Sequence, residues 1–174
     1  MGRLKIYRLV LLAFLLALSV LLHYLESFIP VPVVGFRFGL ANIPLLFALY
    51  YYGYLYYLGL LVLKLFFVAI LFTGFGPSFF MALGGSLLAA FIGFICYKLV
   101  KNSIYATSIC QSIGHAIGQI SAYMLFFMTP SIALYLVILA PISMVTGFLV
   151  ALFVKVIITR LPRSFKESEK KRRL

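Results

Sequence analysis

Apolar residues run along this chain in blocks long enough to cross a bilayer, and the breaks between blocks are few. The first block covers about Tyr7 to Ile29 and stops at Pro30-Val31-Pro32, where a helix cannot easily continue. A loop from Pro30 to about Ala41 follows, too apolar for a water-exposed linker. Asn42 with Pro44 two residues later resembles a helix start, a cap and then a proline in the first turn. The second block covers about Ile43 to Tyr54 and the third about Tyr56 to Phe72, ended by Thr73-Gly74-Phe75-Gly76-Pro77. Between them, Tyr50-Tyr51-Tyr52-Gly53-Tyr54-Leu55-Tyr56-Tyr57 predicts an interfacial aromatic belt around a tight turn. The fourth block covers about Ser78 to Val100 and the fifth about Ile104 to Met128. The sixth covers about Ile132 to Thr159, with Pro141 as a kink. The expected fold is an all-α integral membrane protein, a six-transmembrane-helix bundle.

Basic residues orient the bundle. With six spans, the N-terminal Arg3, Lys5 and Arg8, the turn with Lys98 and Lys101, and the C-terminal end from Lys155 onward all face one side. That places 13 of the 15 lysines and arginines together, with Arg37 opposite and Lys64 inside the membrane. Such an excess marks the cytoplasm, so both termini are expected there, in a multi-pass protein of the cell membrane. Five spans would split the clusters across the bilayer.

Composition agrees. Hydrophobic residues make up 65% of the 174 and charged ones 10%, against about 25% charged in an ordinary soluble domain. No polar linker divides the chain, so residues 1–174 are read as one transmembrane domain with basic tails over about 1–6 and 160–174. The first block follows a positive stretch as a secretory signal does. It outruns the roughly 7–15 residues of a signal core and reads as a retained helix. The basic tails suit anionic lipid heads and topology rather than nucleic acid, since nothing interleaves aromatics with base-reading residues.

Candidate chemistry lies in the polar residues at membrane depth, each costly there unless paired or hydrated. On the first helix Ser19, His23, Glu26 and Ser27 fall on one face. On the fifth, Ser108, Gln111, Ser112, His115 and Gln119 repeat at spacings of three and four, and on the third Lys64 stands alone near mid-span. His23, Glu26, Lys64, His115 and Gln119 are expected to converge on an outward-facing pocket, with Arg37 and Asn42 forming its lid. The serines read more simply as hydrogen bonds between helices, worth about 0.6 kcal/mol each. Gly114-xxx-Gly118, Gly84-Gly85-Ser86 with Gly93, and Ala13-xxx-Ala17 are small-residue patterns that let helices approach closely. Cys96 and Cys110 read as small packing residues, without a metal site beside them.

Absences narrow the function. The chain has no aspartate and three glutamates, two of them (Glu167, Glu169) in the C-terminal tail. No Asp-rich motif can hold Mg²⁺ on a diphosphate, and no Walker loop can serve ATP. A nucleophile-elbow context is missing as well. The chain reads as a non-enzyme without a cofactor.

Several segments carry a resemblance. Leu25-Glu26-Ser27-Phe28-Ile29-Pro30, Phe38-Gly39-Leu40-Ala41-Asn42-Ile43, Gly84-Gly85 and Gly114-His115-x-x-Gly118-Gln119 resemble the membrane family called heptaprenyl diphosphate synthase component I, or Gx transporter. The sequence departs from that family at Ala116, where asparagine is usual, and at Lys64, where arginine is expected. The family is similar in turn to the substrate-binding S components of energy-coupling factor transporters. That likeness implies an S-component-like fold capturing a small solute on the outer side, under a first outer loop. It also implies partners, a transmembrane coupling subunit docking on Ala13 and Ala17 and ATPase subunits driving uptake. The mixed charges tilt the expected solute toward an anionic or zwitterionic one. The alternatives are a non-catalytic membrane subunit associated with polyprenyl diphosphate synthesis and a structural subunit of a larger membrane complex. A co-purifying small molecule, or a co-purifying soluble prenyl synthase, separates them.

Overall fold

A computed structural model of the chain describes residues 2–29, 38–100 and 103–161. They form six α-helices. Helix α1 is Gly2–Ser27, α2 Ile43–Tyr51, α3 Tyr54–Val68, α4 Pro77–Leu99, α5 Ile104–Phe127 and α6 Leu136–Arg160. A 3-10 turn, Leu40–Asn42, leads into α2, and another, Pro130–Tyr135, leads into α6. Helix α3 continues as a π-helical turn, Ala69–Thr73.

Four stretches are long and apolar enough to cross a membrane: Ile6–Ser27, Tyr54–Thr73, Pro77–Leu99 and Pro130–Arg160. Helix α5 has the length as well, 24 residues, or about 36 Å at 1.5 Å per residue. Its serines, glutamines and histidine lower its hydropathy. The outer surface bears large apolar side chains, among them Phe14, Phe91, Leu125 and Val145. Lipid is the solvent in which that surface is stable.

Helix α2 departs from the expected span. It ends at Tyr51, and Gly53 turns the chain at a φ of 104° that favours glycine. Nine residues reach only about 14 Å, half of the hydrocarbon thickness. All of α2 except Ile43 and Tyr50 is buried, as befits a helix that is apolar all round. The Leu40–Asn42 turn before it packs beside α1, with Ala41 buried. Asn42 precedes the helix as expected, but its side chain makes no cap bond. It serves Lys64 instead.

The tyrosine tract is also corrected. It makes the tight turn, but several of its rings enter the bundle instead of ringing the surface. Tyr51 and Tyr57 are buried. The Tyr50 hydroxyl lies 3.0 Å from the Ser103 carbonyl oxygen and 2.8 Å from Thr107 Oγ1. The Tyr54 hydroxyl donates to the Ala90 carbonyl at 2.9 Å. The Ser103 carbonyl ahead of α5 and the Ala90 carbonyl within α4 give these two hydroxyls partners, which an apolar core otherwise denies.

Packing divides the bundle in two. The tightest seam joins α4 to α5, and α6 packs along the other side of α5. Helices α1, α2 and α3 form a looser group, joined to the second mainly through α2 with α6 and α3 with α4. Glycines set the tight seam. A Cβ on Gly84 would lie 2.7 Å from Ala122 Cβ, and one on Gly118 would overlap the Gly84 carbonyl. The small-residue patterns of α4 and α5 therefore pack inside the protein. Cys96 and Cys110, both free thiols, lie near one another across the same seam.

Candidate functional site

The loose group and the tight group enclose a cavity of about 520 Å³. A volume in that range suits a small organic molecule. Each of the six α-helices contributes to its wall, and so does the Phe38–Asn42 segment. Along α5 the lining runs from Ser108 to Tyr123, about 22 Å at 1.5 Å per residue.

On α1, Leu15, Ser19, His23 and Glu26 are buried at helical spacing, while Ala13, Phe14, Ala17 and Leu21 face outward. The face carrying His23 and Glu26 thus points into the bundle, and Ala13 and Ala17 lie away from the cavity. Ser19 Oγ donates to the Ala41 carbonyl, pinning the returning loop to mid-helix. Glu26 Oε1 accepts the Leu40 N–H at 2.8 Å. From α3, Lys64 Nζ donates to the Ala41 carbonyl at 3.3 Å and to Asn42 Oδ1 at 2.9 Å. Glu26 and Lys64 therefore meet through a shared segment, Leu40–Asn42, with the carboxylate on its N–H and the ammonium on its carbonyl and amide oxygens. Hydrogen bonds to ionised groups contribute about 1.5–3 kcal/mol, roughly twice a neutral one. These are the two charged side chains of the lining among the described residues.

His23 stacks on Phe72 of the π-helical turn, ring centroids 6.5 Å apart, and Tyr24 stacks on the same ring at 5.1 Å. The π-turn thus anchors an aromatic group where α1 ends. His115 lies against Gly85, where an added Cβ would sit 2.9 Å from its Cε1. Gln111 lies in the same way against Gly93. Glycine on α4 leaves slots into which α5 lays the long members of its polar stripe.

Of the seven residues expected in a pocket, His23, Glu26, Asn42, Lys64, His115 and Gln119 all line this one cavity. Arg37 lies outside the described residues. The serines, expected to bond between helices, do so only in part. Ser108 Oγ donates to Gly147 O on α6 at 2.7 Å, and Ser112 and Ser27 bond back to carbonyls of their own helices.

Sequence reading missed part of the wall. Ser143 and Thr146 on α6 line the cavity, as do Tyr57, Ser86 and Tyr123. Ser143-x-x-Thr146 puts two hydroxyls on one face of an otherwise apolar helix, which was the available signal. For Tyr57 there was none, because eight consecutive residues rich in tyrosine do not reveal which ring turns inward.

No curated protein and no solved structure matches the chain. A family model described as heptaprenyl diphosphate synthase component I matches residues 15–157. The chain belongs to that family.

Proposed function

We propose that this member of the heptaprenyl diphosphate synthase component I family is a solute-capture subunit, S-component-like, that takes a small molecule from the outer side of the cell membrane. The observation that carries the reading is the cavity itself. Six polar residues from α1, α3, α5 and the loop before α2 line one space at membrane depth. Ionisable groups there are costly, and a water- or ligand-filled space is the usual reason for keeping them. His23, Glu26, Arg37, Asn42, Lys64, His115 and Gln119 form the proposed binding set, for an anionic or zwitterionic solute.

Native mass spectrometry of the full chain, released from mild detergent, tests the capture reading. The expected result is a co-purifying small molecule that Lys64→Met loses. Co-purification with a soluble prenyl synthase and no bound solute overturns it. That outcome favours the second reading, a non-catalytic membrane partner of polyprenyl diphosphate synthesis, which the family's description suggests.

Capture without an ATPase motif calls for partners, a transmembrane coupling subunit and ATPase subunits in this proposal. Ala13 and Ala17 lie exposed on the outward face of α1, where a second helix can approach closely. Leucine at either position should abolish uptake and partner co-purification while leaving solute binding and the melting temperature unchanged. Loss of folded protein would place the pair in an internal contact.

Both termini are proposed to be cytoplasmic. Lys98 and Lys155 lie at the bundle end that also holds the start of α5, where Lys155 Nζ sits 4.9 Å from the Tyr105 ring centre. Reporter fusions after Lys101 and at Leu174 should read as cytoplasmic, and one at Pro130 as external. An external signal at Leu174 would reverse the orientation.

A further inference from the structure

The two sides of the cavity differ in chemistry. The charges, Glu26 and Lys64, come from α1 and α3, whereas the α5–α6 side carries hydroxyls: Ser108, Ser112, Ser143 and Thr146. Each of these hydroxyls spends its single proton on a backbone carbonyl. Ser108 donates to Gly147 O at 2.7 Å, Ser112 to Ser108 O at 2.8 Å, Ser143 to Leu139 O at 2.7 Å and Thr146 to Ser143 O at 3.0 Å. A hydroxyl has one proton and two lone pairs, so with its proton committed it can only accept. Bonding back to helix carbonyls is the usual resting state of serine and threonine in such helices. Its consequence, where these four hydroxyls line the cavity, is a patch of acceptors beside His115, Gln119 and Tyr123. Gln111 belongs to the same wall, and its amide nitrogen is buried without a hydrogen-bond partner. A buried donor left unpaired is costly, and a solute carbonyl reaches this one when the Gln111 side chain turns out of its slot against Gly93.

We propose that the α5–α6 side of the cavity recognises a neutral, hydrogen-bond-donating edge of the solute, N–H or O–H groups flanking a carbonyl, as in a cyclic urea, a lactam or an amide. The inference rests on the solute-capture reading and adds the solute's chemical class. A carboxylate turned to the four hydroxyls would face lone pairs. An ammonium would sit at membrane depth with no counter-charge on that side, which the bilayer penalises. The solute's charge therefore belongs toward Lys64 and Glu26, and its neutral edge toward Ser112 and Thr146.

The test uses two probes on the full chain in nanodiscs, read by saturation-transfer NMR. Imidazolidin-2-one presents two N–H groups and a carbonyl, and its 1,3-dimethyl analogue presents the carbonyl alone. The first should receive saturation and the second should not. Thr146→Val keeps the side-chain shape while removing an acceptor, and Ser112→Ala removes another. Each should weaken imidazolidin-2-one by about fivefold, the effect of one neutral hydrogen bond. Equal signals from both probes overturn the proposal, and so does silence from both or indifference to the two substitutions. If any of these occurs while a solute still co-purifies and Lys64→Met still loses it, capture stands and only the donor-edge assignment falls.

Discussion

Gly118→Val should yield no monodisperse protein in detergent. A Cβ at Gly118 overlaps the Gly84 carbonyl oxygen and lies 2.9 Å from Leu88 Cβ. The first of these atoms is backbone and cannot rotate away, so the seam between α4 and α5 has to open. Overpacking by a few atoms usually costs about 1–3 kcal/mol, and here relief means separating the best-packed pair of helices. Against a total stability of about 5–15 kcal/mol, that loss is large. Gly118→Ala should lower the melting temperature by several degrees, since one methyl group meets the same carbonyl. Gly59→Ala is the control, because nothing lies within 4 Å of its Cβ position and alanine favours a helix. A Gly118→Val protein that melts with the parent would mean that α4 and α5 do not touch along this line.

The second large effect separates the loop contact of Glu26 from its proposed part in solute binding. Its Oε1 holds the Leu40 N–H, a task that the amide oxygen of glutamine can also perform. Glu26→Leu removes the acceptor and leaves a half-buried N–H unsatisfied, at a cost of about 1–3 kcal/mol. Glu26→Gln should therefore keep most of the stability and lose the solute, whereas Glu26→Leu should lose both. Full solute retention in Glu26→Gln would reduce the residue to a clamp on the loop. Lys64→Met leaves the Ala41 carbonyl and the Asn42 side chain without their ammonium donor and should be destabilising by a similar amount. Two residues paired only with each other recover stability when both are neutralised, because no uncompensated charge remains. Here each holds a different group of Leu40–Asn42, so Glu26→Leu with Lys64→Met should be at least as unstable as the worse single variant. Thermal melts of the three proteins decide between the arrangements.

The helix count, the membrane setting and the family resemblance were legible in the sequence, because each depends on local and one-dimensional quantities. Proline and glycine breaks stop helices wherever they fall. Runs of about twenty apolar residues need lipid whatever they pack against. The polar faces of α1 and α5 followed from helical periodicity, and so His23, Glu26, His115 and Gln119 could be named together. Small residues at Gly84, Gly114 and Gly118 announced a close seam.

Which seam, and which partner for each charge, depended on contacts distant along the chain. The length of α2 was misjudged because apolar residues continue past Tyr51, and only the conformation at Gly53 ends the helix. Asn42 has the residue type and position of a cap, yet Lys64, 22 residues away, claims its oxygen. Tyr57 and Tyr56 are chemically alike, and rotation about the α3 axis sends one inward and leaves the other exposed. The hydroxyls of α6 became part of a wall only when α5 packed beside them. Sequence by itself determined the solvent, the helices and the residues too costly to leave in lipid. Tertiary structure decided that the two charges hold one loop from either side of a cavity, because hydrogen bonds of about 3 Å act only between groups that the fold has already brought together.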